Sequence, residues 1–229
     1  MKNPGSPEND IEELKETLLP SKQKMISLLE KLGLSKKKID HSERVANVSL
    51  KIAEEVEKKE RINADKKIVE AGALLHDIGL TRSYDDLSPE HSIIGGNLIR
   101  KLGLPDRVAK CSDVHEMISP RVAKELKFPR PLREDYTPQT LEEEIVVAAD
   151  LFQYLVKEAL EEFGYDEYNP WEEPEKIKES LSKYLKEVYE KKLGKKLTED
   201  SEQIKSLKET GYKIVEEYTE YVKPEFVER

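Results

Sequence analysis

A histidine followed directly by an aspartate, His76-Asp77, sets a neutral metal ligand beside an anionic one at the closing end of an apolar helical stretch. A carboxylate at a helix C-terminus meets the negative end of the helix dipole, so the placement calls for a compensating cation, and a bound metal would be one. The chain has four histidines. The other three, His41, His91 and His115, each fall on the apolar face of a separate predicted helix. Asp150 is embedded in Val146-Val147-Ala148-Ala149-Asp150-Leu151-Phe152, where a carboxylate must be paired or ligated because burying it alone is costly. Taken singly, each residue reads as an ordinary core position or a common dipeptide. Four histidines and an aspartate on the inner faces of separate helices are hard to explain as independent core choices. Imidazoles mixed with carboxylates suit Fe, Mn, Co, Ni or Zn, whereas Mg and Ca prefer oxygen-only shells. A redox or hydrolytic metal is implied.

The elements that must position these side chains are all helical. His41, Val45, Val48, Ile52 and Val56 form one stripe of a helix from about Ser35 to Glu60, with Arg44 a turn beyond the histidine. As a planar fork of donors, Arg44 is a candidate phosphate contact. The next helix, Ala64 to Asp77, carries the His-Asp pair, and Gly79 suits a left-handed cap after it. A polar loop follows, with Arg82 near its start as a second candidate phosphate contact and Ser88-Pro89 as a helix-start signal. The next helix aligns His91, Gly95, Leu98 and Leu102, and Gly95-Gly96 permits close approach of a neighbour. Val108, Cys111 and His115 share the face of another helix, with Asp113 off that face. Residues 119–140 are rich in prolines and bases, a solvated loop or the rim of an anion site. Thr140 to Glu143 reads as a capping box opening the helix that holds Asp150.

Outside this core, residues 1–9 read as a disordered leader, Asp10 to Leu19 as a short helix, and Met25, Leu28, Leu29 and Leu32 as the stripe of a helix stopped by Gly33. An aromatic-rich turn, Phe163 to Trp171, precedes amphipathic repeats at Ile177 to Val188 and Ile204 to Tyr221. The predicted architecture is all-α: a leader and short helix over 1–20, a metal-binding core over 21–160, and a helical extension packed on it over 161–229.

Composition narrows the function classes. Of 229 residues, 38% are charged, with Lys and Glu dominant, the dense ion pairing of heat-stable proteins; a thermophilic source is the expectation. One cysteine, Cys111, rules out an internal disulfide, and neither a bilayer-length apolar run nor a secretory signal core is present, so a cytoplasmic protein is expected. A net charge of −9 argues against an extended nucleic-acid footprint. Small anionic substrates remain compatible, because a metal and arginine cluster outweighs global charge at close range.

The series His41-Ser42-Glu43-Arg44-Val45-Ala46, Leu74-Leu75-His76-Asp77-Ile78-Gly79, His91-Ser92-Ile93-Ile94-Gly95-Gly96, His115 and Asp150 resembles the motif set of the HD-domain metal-dependent phosphohydrolase superfamily. The likeness covers about residues 36–156. The run Asp135 to Asp150 is most similar to an archaeal HDIG subgroup, near the dihydroneopterin cyclic-phosphate phosphodiesterases. The resemblance implies an all-α bundle in which His41, His76, Asp77 and Asp150 hold one metal. In dinuclear members two further histidines, matched by His91 and His115, hold a second metal, with the central aspartate bridging. Two divalent transition metal ions are therefore expected, Fe or Mn favoured, with Co, Ni and Zn also suitable.

Two departures stand out. Leu80 occupies the place of a lysine in the cyclic-di-nucleotide branch, whose Gly-Tyr-Pro element is also missing. His115 is followed by Glu116-Met117-Ile118-Ser119-Pro120 where the archaeal subgroup shows small residues.

The activity implied is hydrolysis of a phosphomonoester or phosphodiester of a nucleotide-like small molecule by metal-activated hydroxide, with Asp77, Arg44 and Arg82 as catalytic residues. A metal-binding sensor or scaffold without turnover and an HD-type di-iron oxygenase are the rival readings. The extension is open as a lid, a homodimer surface or heat-stable padding.

Overall fold

The computed structural model describes residues 19–82, 90–117 and 136–153, together with positions 190, 205, 213–214, 217–218 and 221–222. The expected leader and most of the short helix after it lie outside the described residues. So do the Ser88-Pro89 helix start, most of the basic proline-rich loop, the aromatic turn and most of the extension.

Among the described residues the regular elements are all helical. Helix α1, Lys22–Lys31, buries Met25 and Leu29 and ends before Gly33, whose φ of 88° suits glycine. Helix α2, Lys36–Glu60, starts where the Ser35 hydroxyl accepts the Lys38 N–H at 3.4 Å and ends at Arg61 in the left-handed region. Helix α3, Lys66–Leu75, is capped by the Asp65 carboxylate, which accepts the N–H groups of Lys67 and Ile68 at 3.0 and 3.3 Å. A 3-10 turn, Ile78–Thr81, follows it directly. Then come α4, Glu90–Lys101, α5, Asp106–Val114, and α6, Leu141–Gln153.

Helix α3 is the axis of the bundle. It packs against α1, α2, α5 and α6, which is why it is apolar nearly all round, with Ile68, Val69 and Ala71 to Leu75 buried. Each of its larger side chains contributes about 1.5–3 kcal/mol on burial. Ion pairs tie its start to the rest: Glu142 of α6 accepts from the Asp65 N–H at 2.9 Å and from Arg107 of α5 at 3.1 Å, and Arg107 also reaches Asp65 at 3.3 Å.

Four local expectations are corrected. Helix α3 closes at Leu75, two residues before Asp77. Gly79 is not a left-handed cap, because it lies within the 3-10 turn and is not among the positive-φ glycines. It is required there by contact instead: a Cβ would overlap the His91 carbonyl and lie 2.6 Å from the Gly95 nitrogen. Leu102 is 42% exposed, past the end of α4. Asp113, off the face of Val108 and Cys111, is buried as well and is held by Arg100, whose Nη1 and Nη2 lie 3.2 and 2.7 Å from its two oxygens; a bidentate guanidinium makes that burial tolerable. The capping box forms in altered shape. Glu143 N–H donates to Thr140 Oγ1 at 3.4 Å, while its carboxylate accepts from Gln139 N–H rather than from Thr140.

The described residues of the extension meet the core. Ile214, Tyr218, Tyr221 and Val222 are buried in it, Tyr218 donates to Glu144 at 2.9 Å, and Tyr221 donates to Glu60 at 3.2 Å. No helix among the described residues is long and apolar enough to cross a membrane.

Candidate metal centre

Each potential ligand is delivered by a different part of the bundle. His41 projects from the first turns of α2, His76 and Asp77 from the turn closing α3, His91 from the start of α4, His115 from the residue after α5, and Asp150 from the last turn of α6. The close packing at Gly79 and Gly95 lets these meet: a Cβ at Gly95 would overlap Ser112 Oγ and lie 3.1 Å from the Gly79 nitrogen. Ser112 Oγ in turn lies 2.8 Å from the His76 carbonyl and 3.0 Å from that of Ser92, linking the three elements.

The six side chains converge as two groups of three: His41, His76 and Asp150, and Asp77, His91 and His115. In the first, Asp150 Oδ1 lies 3.0 Å from His41 Nε2 and 3.7 Å from His76 Nε2. In the second, Asp77 Oδ1 lies 3.0 Å from His91 Nε2 and 3.6 Å from His115 Nε2. Asp77 Oδ2 turns to the other group and lies 3.6 Å from His76 Nε2. One carboxylate thus presents an oxygen to each group.

Two of the histidines are held by the backbone through one ring nitrogen, which leaves the other facing the cluster. His76 Nδ1–H donates to the Ala73 carbonyl and His115 Nδ1–H to the Ser112 carbonyl, both at 2.7 Å and both three residues back. Such a bond fixes the tautomer and turns the Nε2 lone pair inward, the usual outer-shell device for a metal-binding imidazole. His76 Nε2 is buried and has no hydrogen-bond partner, an arrangement costly in a core and explained by a cation. Two further Nε2 atoms, those of His91 and His115, face each other at 2.8 Å, which requires a proton or an ion between the lone pairs. Each of the two groups of donors could hold a metal ion.

The protonation balance follows from burial and charge. Burial pushes His76 down to about 4, against the pull of Asp77 and Asp150, so its imidazole is neutral at pH 7. Burial would lower His115 too, but its hydrogen bond to Asp77 and the charge of Glu116 outweigh that and raise it to about 9. Burial opposes ionisation of Asp150, yet His76 and His41 bring it down to about 2; Asp77 is likewise held well below the usual range, chiefly by His76 and Lys38. His41 is raised by Asp150 in spite of its burial.

Of the candidate phosphate contacts, Arg44 lies one turn past His41 on α2, partly buried, its Nε without a hydrogen-bond partner. Arg82 is exposed at the end of the 3-10 turn, where its N–H donates to Gly79 O. Two residues that sequence reasoning missed stand at the site. Lys38, one turn before His41, places Nζ 3.3 Å from Asp77 Oδ2. Glu116 places Oε1 3.5 Å from His91 Nε2 and 3.7 Å from His115 Nε2. Helical period alone puts Lys38 on the His41 face, but within Lys36-Lys37-Lys38 it reads as part of a solvated run.

Residues 39–155 match the family described as HD domain. A tRNA (cytidine(56)-2'-O)-methyltransferase of Thermoplasma volcanium is 34% identical over 133 residues, 58% of this chain but 36% of that protein. A second of that name, from Picrophilus torridus, is 30% identical over 132 residues with the same coverage. The chain therefore corresponds to little more than a third of these relatives' length. Uncharacterized protein MJ0778 of Methanocaldococcus jannaschii is 33% identical over 130 residues, 56% of this chain and 72% of that protein. Among solved structures, the L. monocytogenes phosphodiesterase PgpH HD domain aligns with a TM-score of 0.41 at 20% identity, covering 83% of this chain and 97% of that one. Its complex with cyclic-di-AMP aligns with a TM-score of 0.43 at 19% identity, covering 83% and 94%.

Proposed function

The chain belongs to the HD domain family, and from that premise we propose that it is a metal-dependent phosphohydrolase, cleaving a phosphomonoester or phosphodiester of a nucleotide-like small molecule. The observation that carries this reading is the two groups of three donors joined by Asp77, whose two oxygens lie 3.0 Å from His91 Nε2 and 3.6 Å from His76 Nε2. His41, His76 and Asp150 would hold one divalent ion, His91 and His115 the other, with Asp77 between them. When bound, such a pair supplies Lewis acidity, lowers the pKa of water toward neutrality and offsets charge developing on a phosphoryl group.

The chain's own groups do the rest. Asp77, kept ionised by its surroundings, would be a ligand shared by the two positions and would orient the attacking water. The carbonyls of Ala73 and Ser112 hold the His76 and His115 rings so that no reorientation is needed on binding. Lys38 keeps a cation beside Asp77 Oδ2 and, with Arg44 and Arg82, offers donors to phosphate oxygens. The methyltransferase activity in the names of two relatives belongs to chains nearly three times the length of the matched part.

The test is a panel of nucleotides, cyclic phosphates and dinucleoside polyphosphates, assayed after chelation and reloading with Mn, Fe, Co, Ni or Mg. Phosphoester cleavage restored by a first-row ion supports the proposal. Protein that takes up ions yet hydrolyses nothing would overturn it in favour of a sensor, and oxygen uptake with an organic substrate in favour of an oxygenase.

A further inference from the structure

We propose that Glu116 is a fourth protein donor to the position formed by Asp77, His91 and His115, so that each of the two positions is served by two imidazoles and two carboxylates. The inference rests on the two-ion reading above and adds a ligand which that reading does not contain. The first position would have such a set in His41, His76 and Asp150 together with the second oxygen of Asp77, 3.6 Å from His76 Nε2. The second has only one carboxylate without Glu116.

The geometry is specific to that position. Glu116 Oε1 lies 3.5 and 3.7 Å from the same two Nε2 atoms that Asp77 Oδ1 approaches at 3.0 and 3.6 Å. Donors at about 2.0–2.1 Å from one first-row ion stand roughly 3.4 Å apart in a tetrahedral shell, so Glu116 Oε1 is at shell distance from both imidazoles. It stands outside the group of Asp77, His91 and His115, whose donor atoms all lie within 4.8 Å of one another, and its side chain has to swing toward Asp77 to complete the set. The backbone supports the same aim. Helix α5 stops at Val114, and Met117 takes a φ of 48°, which a non-glycine residue seldom adopts. Met117 is nevertheless buried, with its N–H bonded to the Val114 carbonyl at 2.8 Å. This tight exit holds Glu116 next to His115, its side chain only 29% exposed, instead of releasing it to solvent.

Calorimetric titration of the chelated full chain with Mn²⁺ tests the assignment, in wild type and in Glu116→Gln, a substitution that preserves size at a partly exposed position. Wild type is expected to bind two ions, and the variant to bind one of the two at least about tenfold less tightly, since even outer-shell losses cost that much. The same substitution placed in His41→Ala and His91→Ala backgrounds locates the effect. It should weaken the remaining ion in the first background and leave it unchanged in the second. Identical isotherms for wild type and Glu116→Gln, or equal weakening in both backgrounds, would overturn the assignment while leaving two ions in place. A wild-type stoichiometry of one would instead sink the two-ion reading and this inference with it.

Discussion

Asp77 is the residue on which both halves of the centre depend, and the electrostatics around it make a pH prediction. His76 has a folded pKa of about 4, below its ordinary 6.5, so its contribution to stability is present above 6.5 and lost as pH falls toward 4. His115 is raised to about 9, so its contribution is present below 6.5 and lost as pH rises through 9. The chelated protein should therefore show a Tm maximum near pH 6.5, measurable by scanning calorimetry, and ion loading should flatten the curve because bound imidazoles no longer titrate. A flat profile for chelated protein between pH 4.5 and 9 would contradict these assignments. Lys38→Met should raise KM for a phosphate substrate by roughly 10-fold or more, the scale of a lost charged hydrogen bond, with two ions still bound; an unchanged KM would remove Lys38 from substrate contact. At this scale the six side chains that converge were legible because histidine is rare in this chain, His41, His91 and His115 fell on apolar stripes, and Asp77 and Asp150 closed or sat within apolar runs. Lys38 and Glu116 were not, because lysine and glutamate dominate its surface and only the folded turn brings these two to the ligands.

At the scale of elements, the site exists because the 3-10 turn, α4 and α5 pack at backbone distance. Gly79→Ala must push the turn from α4, since its Cβ would overlap the His91 carbonyl. The expected cost is about 1–3 kcal/mol, seen as a lowered denaturation midpoint, together with weakened ion binding because His76-Asp77 and His91 separate. Unaltered stability and ion binding would show that the contact is dispensable. Arg100→Ala should cost about 1.5–3 kcal/mol by removing the charge-assisted hydrogen bonds that Arg100 gives the buried Asp113 carboxylate; Arg100→Ala with Asp113→Leu should recover much of the loss. The helix order and their faces were readable from period and caps. The role of Gly79 was not: a glycine after a helix looks the same whether it serves a left-handed cap or a close crossing, and only the partner backbone distinguishes them. The burial of Asp113 was not legible for a similar reason, because the guanidinium that makes it tolerable lies on another helix.

Taken whole, the described residues form a helical bundle in which the turn after the central helix brings Asp77 to two groups of donors gathered at the ends of its neighbours. The all-α class and the motif-bearing core were legible because patterned helices and rare ligand types repeat in a known order. The joining of core and extension was only partly so: amphipathic repeats signal that a face is buried, and the Tyr218 to Glu144 and Tyr221 to Glu60 hydrogen bonds show where. The central claim is that two ions act together in phosphoester cleavage, and it is tested most directly by titrating chelated protein with Mn²⁺ while following hydrolysis of bis(p-nitrophenyl) phosphate. The rate should stay low through the first equivalent, rise over the second and level off at two. A plateau at one equivalent, or no hydrolysis with two ions bound, would contradict it.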